Sequence, residues 1–315
     1  MSDPVLDLDR RLRTPLAAFQ GDRPPAPEWF DAAIAHQPER SVTSVEGAEI
    51  EILTWGERGQ PGLLFLHGGM ASADWFDHIA PFFAETHRVA ALSMSGAGRS
   101  SWREHYDVAQ FAREMAAVAM AAGLHEAGPP VFVAHSFGSR PLLNAAANPE
   151  LKLRAAVVLD AAISLPKAQS TSTLDTRPHR TYATFDEALS RFRLMPYQTC
   201  DNLYVVDHIG RQSLKRIKTA DSPERWTWRS DPYVFQKLSG SAQEDAETAA
   251  RSARCRLAFL YGDRSAIVRP DNLAHTREVA PDSSLFASIP DAAHHVFLDQ
   301  PLATVAALRV LLAML

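Results

Sequence analysis

A serine flanked by small residues stands where an apolar run gives way to a helical pattern. Residues 131–139 read Val-Phe-Val-Ala-His-Ser-Phe-Gly-Ser, with Ser136 at the change. A sharp strand-to-helix turn strains its central residue, and only small neighbours let the strand and the helix pass so closely. Such a turn exposes a hydroxyl at a helix N-terminus, where negative charge is favoured. Ser136 is therefore a candidate nucleophile, and an ordinary helix N-cap is the simpler alternative.

Three other segments carry residue types that could act with a serine. One apolar run ends in His67-Gly68-Gly69, 69 residues before Ser136, and another ends in Gly262-Asp263. The segment 289–301 contains the adjacent pair His294-His295. Imidazole and carboxylate groups move and stabilise protons, and a glycine turn leaves main-chain N–H groups accessible.

The elements that must position these residues alternate between strands and helices. Val108, Phe111, Met115 and Val118 share one stripe of a helix predicted over 107–122. Continuous apolarity is typical of strands that are buried on both faces of a parallel sheet. The pattern predicts an α/β fold with a mostly parallel sheet, preceded by a hairpin of 41–45 and 49–55. The apolar runs lie at 63–66, 89–92, 131–134, 156–159 and 257–261.

A long interval between Asp160 and Leu257 lacks a clear strand. A structureless loop of that length is implausible, so we predict an inserted, largely helical subdomain there. Residues 165–240 hold 12 Lys/Arg and 8 Asp/Glu. This local positive charge fits either a solvated face or a mild preference for anionic substrates.

Composition excludes several classes of protein. The chain has 315 residues and a formal net charge of −5, so no basic field is present to hold nucleic acid or anionic lipid. Two cysteines are too few for a disulfide framework or a thiolate metal site. Acidic residues near the start argue against a signal peptide, so a cytoplasmic protein is expected. Residues 1–40 are interpreted as an N-terminal extension with one short helix at about 7–19.

The segment around Ser136 resembles the nucleophile elbow of the α/β-hydrolase superfamily, whose usual pattern is Gly-x-Ser-x-Gly. Ala134 replaces the first glycine. The resemblance covers residues 41–315 and implies an eight-stranded, mostly parallel sheet flanked by helices. It also implies a helical cap inserted after the sixth strand. The expected division is then an extension at 1–40, a core of 41–163 and 251–315, and a cap at 164–250.

The resemblance also implies a catalytic triad. In this family the histidine commonly precedes an acidic residue by five positions and a proline by seven, which His294 does and His295 does not. The implied triad is Ser136, Asp263 and His294, in the chain order expected for this fold. His294 would take the proton of Ser136, and Asp263 would fix the imidazole tautomer. His295 as base and Asp160, at the end of the sixth strand, as acid remain alternatives.

Further site residues follow from the same resemblance. The oxyanion hole would use the main-chain N–H groups of Gly69 or Met70 and of Phe137. Trp75, Phe76, Phe137 and some aromatic residues of the cap are predicted to line the substrate pocket.

Two further polar residues near this site are His67 and Ser93. His67 is placed with the substrate-binding residues, although it fits better as a residue that holds its loop by hydrogen bonds. Residues 93–100 resemble the family's turn Asp-x-x-Gly-x-Gly-x-Ser, with Ser93 where aspartate is usual. This departure predicts a weakened structural hydrogen bond.

Three functions are compatible with these residues. A serine beside an oxyanion hole suits attack on an acyl carbonyl, so the first hypothesis is a hydrolase of carboxylic esters or lactones. The second is hydrolysis of a carbon–carbon bond in dicarbonyl acids from aromatic degradation. The third is a non-catalytic ligand-binding protein on the same scaffold.

The expected partner is a small-molecule ester or carbonyl substrate, with neither nucleic acid nor a membrane. A homodimer is left open. No cofactor or metal is expected, because the chain has no Walker lysine motif, no His-Glu-x-x-His and no paired cysteine motif.

Overall fold

An eight-stranded, mostly parallel sheet forms the centre of the computed structural model, which describes residues 4–163, 177–219, 222–239 and 242–315. The strand order is β1-β2-β4-β3-β5-β6-β9-β10. This confirms the predicted fold class. The strands of this sheet are β1 (Glu39–Val45), β2 (Ala48–Trp55), β3 (Gly62–Leu66), β4 (Arg88–Leu92), β5 (Val131–His135), β6 (Ala155–Leu159), β9 (Arg256–Gly262) and β10 (Leu285–Ile289).

The central strands β3, β5 and β6 are parallel to one another and buried along their whole length. Helices cover both faces of the sheet, which is why these strands are continuously apolar rather than alternating. At one edge β1 and β2 form an antiparallel hairpin, as predicted. Its turn residues Glu46 and Gly47 have φ angles of 48° and 78°, the left-handed geometry that two-residue hairpins favour.

The helices of the core follow the predicted rhythm. Helix α3 begins after Asp107, whose side chain accepts a hydrogen bond from the Gln110 N–H at 2.6 Å. It buries Phe111, Met115 and Val118 against the sheet. The helices are α1 (Pro4–Arg13), α2 (Glu28–Ala35), α3 (Val108–Ala121), α4 (Ser139–Ala147), α5 (Phe185–Leu189), α6 (Leu203–Gln212), α7 (Ala242–Arg251), α8 (Pro270–Val279), α9 (Val296–Asp299) and α10 (Pro301–Met314).

The insertion after β6 is only partly helical, which corrects the expected helical cap. Besides α5 and α6, it contains an antiparallel hairpin of β7 (Leu214–Thr219) and β8 (Ser222–Trp228). The expected boundary at residue 250 also shifts, because α7 packs against α4 and buries Ala246 and Ala250 in the core. Residues 164–176 of the predicted cap lie outside the described part of the chain.

The N-terminal extension packs on this insertion. Helix α2 places Phe30 against Tyr204 and His208 of α6, at ring-centroid distances of 4.9 and 5.9 Å. The predicted helix at 7–19 is divided in two, since α1 ends at Arg13 and a 3₁₀ turn follows at Ala17–Phe19. Among the described residues, none of the helices combines the length and apolarity that crossing a bilayer requires.

Candidate active site

Ser136 lies at the turn between β5 and α4, within a short 3₁₀ turn at Ser136–Gly138. Its φ angle is 51°, an uncommon conformation for a residue with a side chain. A Cβ atom at Gly138 would lie 2.5 Å from the carbonyl oxygen of His67, so only glycine lets these two segments approach so closely. The turn therefore holds a partly exposed hydroxyl at the carboxyl end of a central strand.

The imidazole of His294 connects this hydroxyl to a carboxylate. His294 Nε2 lies 2.9 Å from Ser136 Oγ, and His294 Nδ1 lies 2.7 Å from Asp160 Oδ2. The structure thus brings Ser136 and His294 together across 158 residues of chain. An Nδ1–H that donates to Asp160 leaves the Nε2 lone pair to take a proton from the serine.

Asp160, not Asp263, is the acid beside the histidine, which corrects the expected triad. Asp263 is exposed, and its main-chain N–H donates to the Ile289 carbonyl at 3.1 Å. The reason lies in the strand order, because β6 is the immediate neighbour of β5 whereas β9 lies one strand further away. Asp160 follows β6 directly, with a φ angle of 45°.

Both carboxylate oxygens of Asp160 are hydrogen-bonded, although the residue is fully buried. Oδ1 accepts from the Gly262 N–H at 2.9 Å, and Oδ2 accepts from Ser265 Oγ at 2.7 Å as well as from His294. These contacts hold the carboxylate in a fixed orientation beside the imidazole. A buried anion at this position would stabilise the imidazolium that forms when Ser136 loses its proton.

The loop that carries His294 is anchored from two sides. Asp299 Oδ2 accepts from the Ala293 N–H at 2.8 Å, so the acidic residue five positions after His294 fastens the loop. His135 Nε2 lies 3.0 Å from the His294 carbonyl oxygen. His295, the alternative base, is buried, and one of its ring nitrogens faces the main chain of Met195. The imidazole that faces Ser136 is that of His294.

The predicted oxyanion residues lie together beside the serine. Gly69, Met70 and Phe137 share one small pocket, and Met70 has a φ angle of 62°. His67 holds this loop, since its Nδ1–H donates to the Gly68 carbonyl at 2.7 Å and its Nε2 accepts from the Met94 N–H at 2.9 Å. Burial lowers the pKa of His67 to about 4, so it is neutral. His67 lines the pocket, but both of its ring nitrogens are hydrogen-bonded to main-chain groups.

The pocket beside Gly69 is apolar and closed by an aromatic residue of the insertion. Phe235 lies against Gly69 so closely that a Cβ there would be 2.6 Å from the ring, and it packs edge-on against Phe137 with centroids 5.2 Å apart. Within the described residues, no lysine or arginine lines this pocket. The remaining lining residues are His67, Gly68, Met70, Met94, Ser95, Gly96, Ala97, Phe111 and Val234.

Two of the aromatic residues expected to line the pocket lie elsewhere. Phe76 is fully buried between Phe65 and Phe297, with ring centroids 5.0 and 5.2 Å away. Trp75 is 6% exposed and packs against Phe192 and His295. Both side chains belong to the packing behind the site, because their 3₁₀ turn directs them toward the sheet.

Ser93 keeps a structural role through a partner that the sequence analysis missed. Its Oγ donates to Glu51 Oε2 at 2.8 Å and accepts from the Ala73 N–H at 3.1 Å. Glu51, in β2, also pairs with Arg40 at 2.7 Å and with Arg99 at 3.0 Å. A carboxylate from a neighbouring strand therefore stands where the family's usual aspartate would act.

A larger polar cavity of about 440 Å³ lies apart from these residues. It is lined by Cys200, Asp201, Asp291 and Asp299 among others, and by none of Ser136, Asp160 and His294. Burial raises the pKa of Asp299 there to about 6. The cavity adjoins the back of the histidine loop.

Comparisons with known proteins identify the family to which this chain belongs. A family model described as "alpha/beta hydrolase fold" matches residues 61–301. A non-heme chloroperoxidase of Streptomyces lividans is 30% identical over 159 residues, which is 50% of this chain and only 56% of that protein.

Solved structures show the same fold at low sequence identity. The thioesterase domain from the curacin biosynthetic pathway has a TM-score of 0.70 and 19% identity, covering 86% of this chain and 99% of that one. An esterase from Mycobacterium tuberculosis has a TM-score of 0.69 and 20% identity, covering 99% and 98%.

Proposed function

Because the chain belongs to the α/β-hydrolase family, we propose that it is a serine hydrolase that cleaves a carboxylic ester or lactone of a small organic substrate. The observation that carries this proposal is the continuous contact from Ser136 Oγ through His294 to Asp160, at 2.9 and 2.7 Å. A nucleophile, a base and a group that orients the base are the parts that acyl transfer requires.

The reaction would proceed through an acyl-enzyme. Ser136 Oγ attacks the carbonyl carbon while its proton passes to His294 Nε2, and the carbonyl oxygen becomes an oxyanion. Main-chain N–H groups of Phe137 and of Gly69 or Met70 would stabilise that oxyanion, each by about 3 kcal/mol. His294 then gives the proton to the departing alkoxide. Water repeats the sequence and releases the acid, so these side chains supply the chemistry without a cofactor.

The shape and polarity of the pocket support a small, uncharged acyl group. Gly69 and Phe137 form one wall, and Phe235 covers the pocket. Two cations of the insertion are paired away from this pocket, Arg211 with Asp207 at 2.7 Å and Lys237 with Asp231 at 2.7 Å. An anionic dicarbonyl acid therefore gains no support from this pocket. The complete serine–histidine–carboxylate contact also favours an enzyme over a non-catalytic binding protein.

A substrate panel tests the proposal. Wild-type protein and Ser136→Ala would be assayed against p-nitrophenyl esters of increasing acyl length, simple lactones and a vinylogous dicarbonyl acid. We expect short-chain esters or lactones to give the highest kcat/KM, and Ser136→Ala to lose at least about 10³-fold in kcat. Faster turnover of the dicarbonyl acid would contradict the ester assignment. Unchanged turnover by Ser136→Ala would contradict the serine mechanism altogether.

A further inference from the structure

Three imidazoles form a cluster directly behind the nucleophile. The ring of His135 lies 4.7 Å from that of His294 and 5.2 Å from that of His295, and the last two rings are 4.9 Å apart. One ring nitrogen from each histidine lies within 4.8 Å of the other two. Such a convergence of three imidazoles is what a transition-metal site requires of its ligands.

Two nitrogens of this cluster have no partner in the described structure. They are His135 Nδ1 and a ring nitrogen of His295, whose other ring nitrogen faces the main chain of Met195, in residues that are 1% and 3% exposed. An unpaired buried polar atom costs free energy, so such atoms call for an occupant.

We propose that His135, His294 and His295 bind one divalent transition-metal ion of the zinc, cobalt or copper type, and that this ion inhibits the enzyme. His294 would use Nε2, because its Nδ1 is held by Asp160. His135 would use Nδ1, because its Nε2 contacts the His294 carbonyl. The fourth position would face Ser136, whose partly exposed hydroxyl opens the site to the substrate pocket.

The geometry requires a modest contraction of the cluster. Metal–nitrogen bonds of about 2.0–2.1 Å place tetrahedral ligand atoms about 3.4 Å apart. One ring nitrogen of each histidine lies within 4.8 Å of the other two, so ring rotations that move each of these atoms by roughly 1 Å would close the site. Asp160 contributes from behind, since a carboxylate bonded to a ligating histidine orients the ring and offsets the charge of the ion.

Inhibition follows from the identity of one ligand and rests on the proposed function. The Nε2 lone pair that would hold the metal is the one that takes the serine proton, so the ion and catalysis exclude each other. Metal binding itself does not depend on ester hydrolysis. The two statements can therefore fail separately.

The first test measures binding without catalysis. Purified protein would be titrated with Co²⁺, whose visible absorption intensifies in tetrahedral nitrogen coordination. We expect one equivalent to bind with such a band, and Zn²⁺ to displace it. His295→Phe and His295→Asn are expected to weaken binding at least about tenfold. The matched control His105→Asn, at an exposed histidine, is expected to bind as the wild type does.

The second test measures the consequence. Zn²⁺ should inhibit hydrolysis reversibly and slow labelling of Ser136 by a fluorophosphonate, while EDTA restores both. His295→Phe should hydrolyse the ester but resist Zn²⁺ by at least about tenfold. Absence of a Co²⁺ band in active wild type, or equal Zn²⁺ sensitivity in His295→Phe and His105→Asn, would overturn the site and leave the hydrolase proposal intact. A Co²⁺ band without any ester turnover would support the metal site and overturn the hydrolase proposal.

Discussion

Asp160 Oδ2 lies 2.7 Å from His294 Nδ1, and the chain reaches this point from the strand next to the one that carries Ser136. Asp263, one strand further along the sheet, faces solvent instead. Chain order does not separate these two acids, because both lie between Ser136 and His294. The distinction is geometric, and it can be tested with two matched substitutions.

Asp160→Asn should impair catalysis far more than Asp263→Asn. The amide would no longer favour the histidine tautomer with Nε2 free, and in a triad this kind of change lowers kcat by about 10⁴-fold. Asp263→Asn should change kcat by no more than a few fold, since that side chain is exposed. Steady-state kinetics on the best ester, with circular dichroism as a check of folding, would compare the two. A larger loss of kcat in Asp263→Asn would support Asp263 as the acid of the triad, as the sequence predicts.

Restoring the family's usual aspartate at position 93 should destabilise this protein. Ser93 Oγ lies 2.8 Å from Glu51 Oε2, so Ser93→Asp would place two buried carboxylates in contact. We expect a loss of about 3 kcal/mol in the free energy of unfolding. Adding Glu51→Gln to Ser93→Asp should recover part of that loss. Urea unfolding of the four proteins in a double-mutant cycle would measure it, and additive losses would contradict the contact.

Phe235→Ala should widen the range of acyl groups that the enzyme accepts. The Phe235 ring covers Gly69 and packs on Phe137, so its removal lengthens the apolar pocket. We expect kcat/KM to rise by about tenfold for long-chain relative to short-chain esters. Trp75→Phe, which alters packing outside the pocket, is the matched control and should keep the wild-type preference. The same chain-length profile in Phe235→Ala and wild type would place the acyl group elsewhere.

Acidification should destabilise the fold through buried neutral histidines. Burial lowers the pKa of His67 and of His78 to about 4, from 6.5. Below pH 6.5 these histidines are protonated in the unfolded chain but remain neutral in the folded protein. The free energy of unfolding therefore decreases as the pH falls toward 4. Asp299, whose pKa is raised to about 6, acts in the opposite direction and offsets only part of this loss.

Calorimetry at several pH values would measure this effect. For a chain of 315 residues, two such histidines predict a decrease in Tm of roughly 5 °C between pH 7 and pH 5. His78→Gln should make Tm less dependent on pH, because glutamine does not titrate in this range. The glutamine amide can still donate to the Phe297 carbonyl oxygen, which His78 contacts at 2.8 Å. The exposed His105→Asn should leave the slope unchanged. A Tm that is constant or rises on acidification would contradict the argument.

Local patterns were sufficient to predict the sheet and the nucleophile turn. Continuous apolar runs identify strands covered on both faces, and the small residues Ala134 and Gly138 mark the close passage of β5 and α4. These features depend on neighbours in the sequence. The confirmed fold class and family follow from them.

The remaining features depend on contacts between distant segments. The acid was assigned to Asp263 by resemblance, whereas the placement of β6 beside β5 brings Asp160 to His294. The position of Asp160 directly after a buried strand was the available signal. Phe235 is one of several aromatic residues in the insertion, and the sequence does not indicate which of them packs over the site. The β7–β8 hairpin was missed because its strands contain charged residues on a partly exposed surface.

Active-site labelling tests the central claim most directly. Wild-type protein treated with a fluorophosphonate should gain one adduct, which peptide mass spectrometry locates on Ser136, in parallel with loss of ester hydrolysis. Ser136→Ala should gain none, and Asp160→Asn should be labelled much more slowly than Asp263→Asn. A folded protein that hydrolyses esters with no adduct, or with its adduct on another residue, would contradict the assignment of Ser136 as the nucleophile.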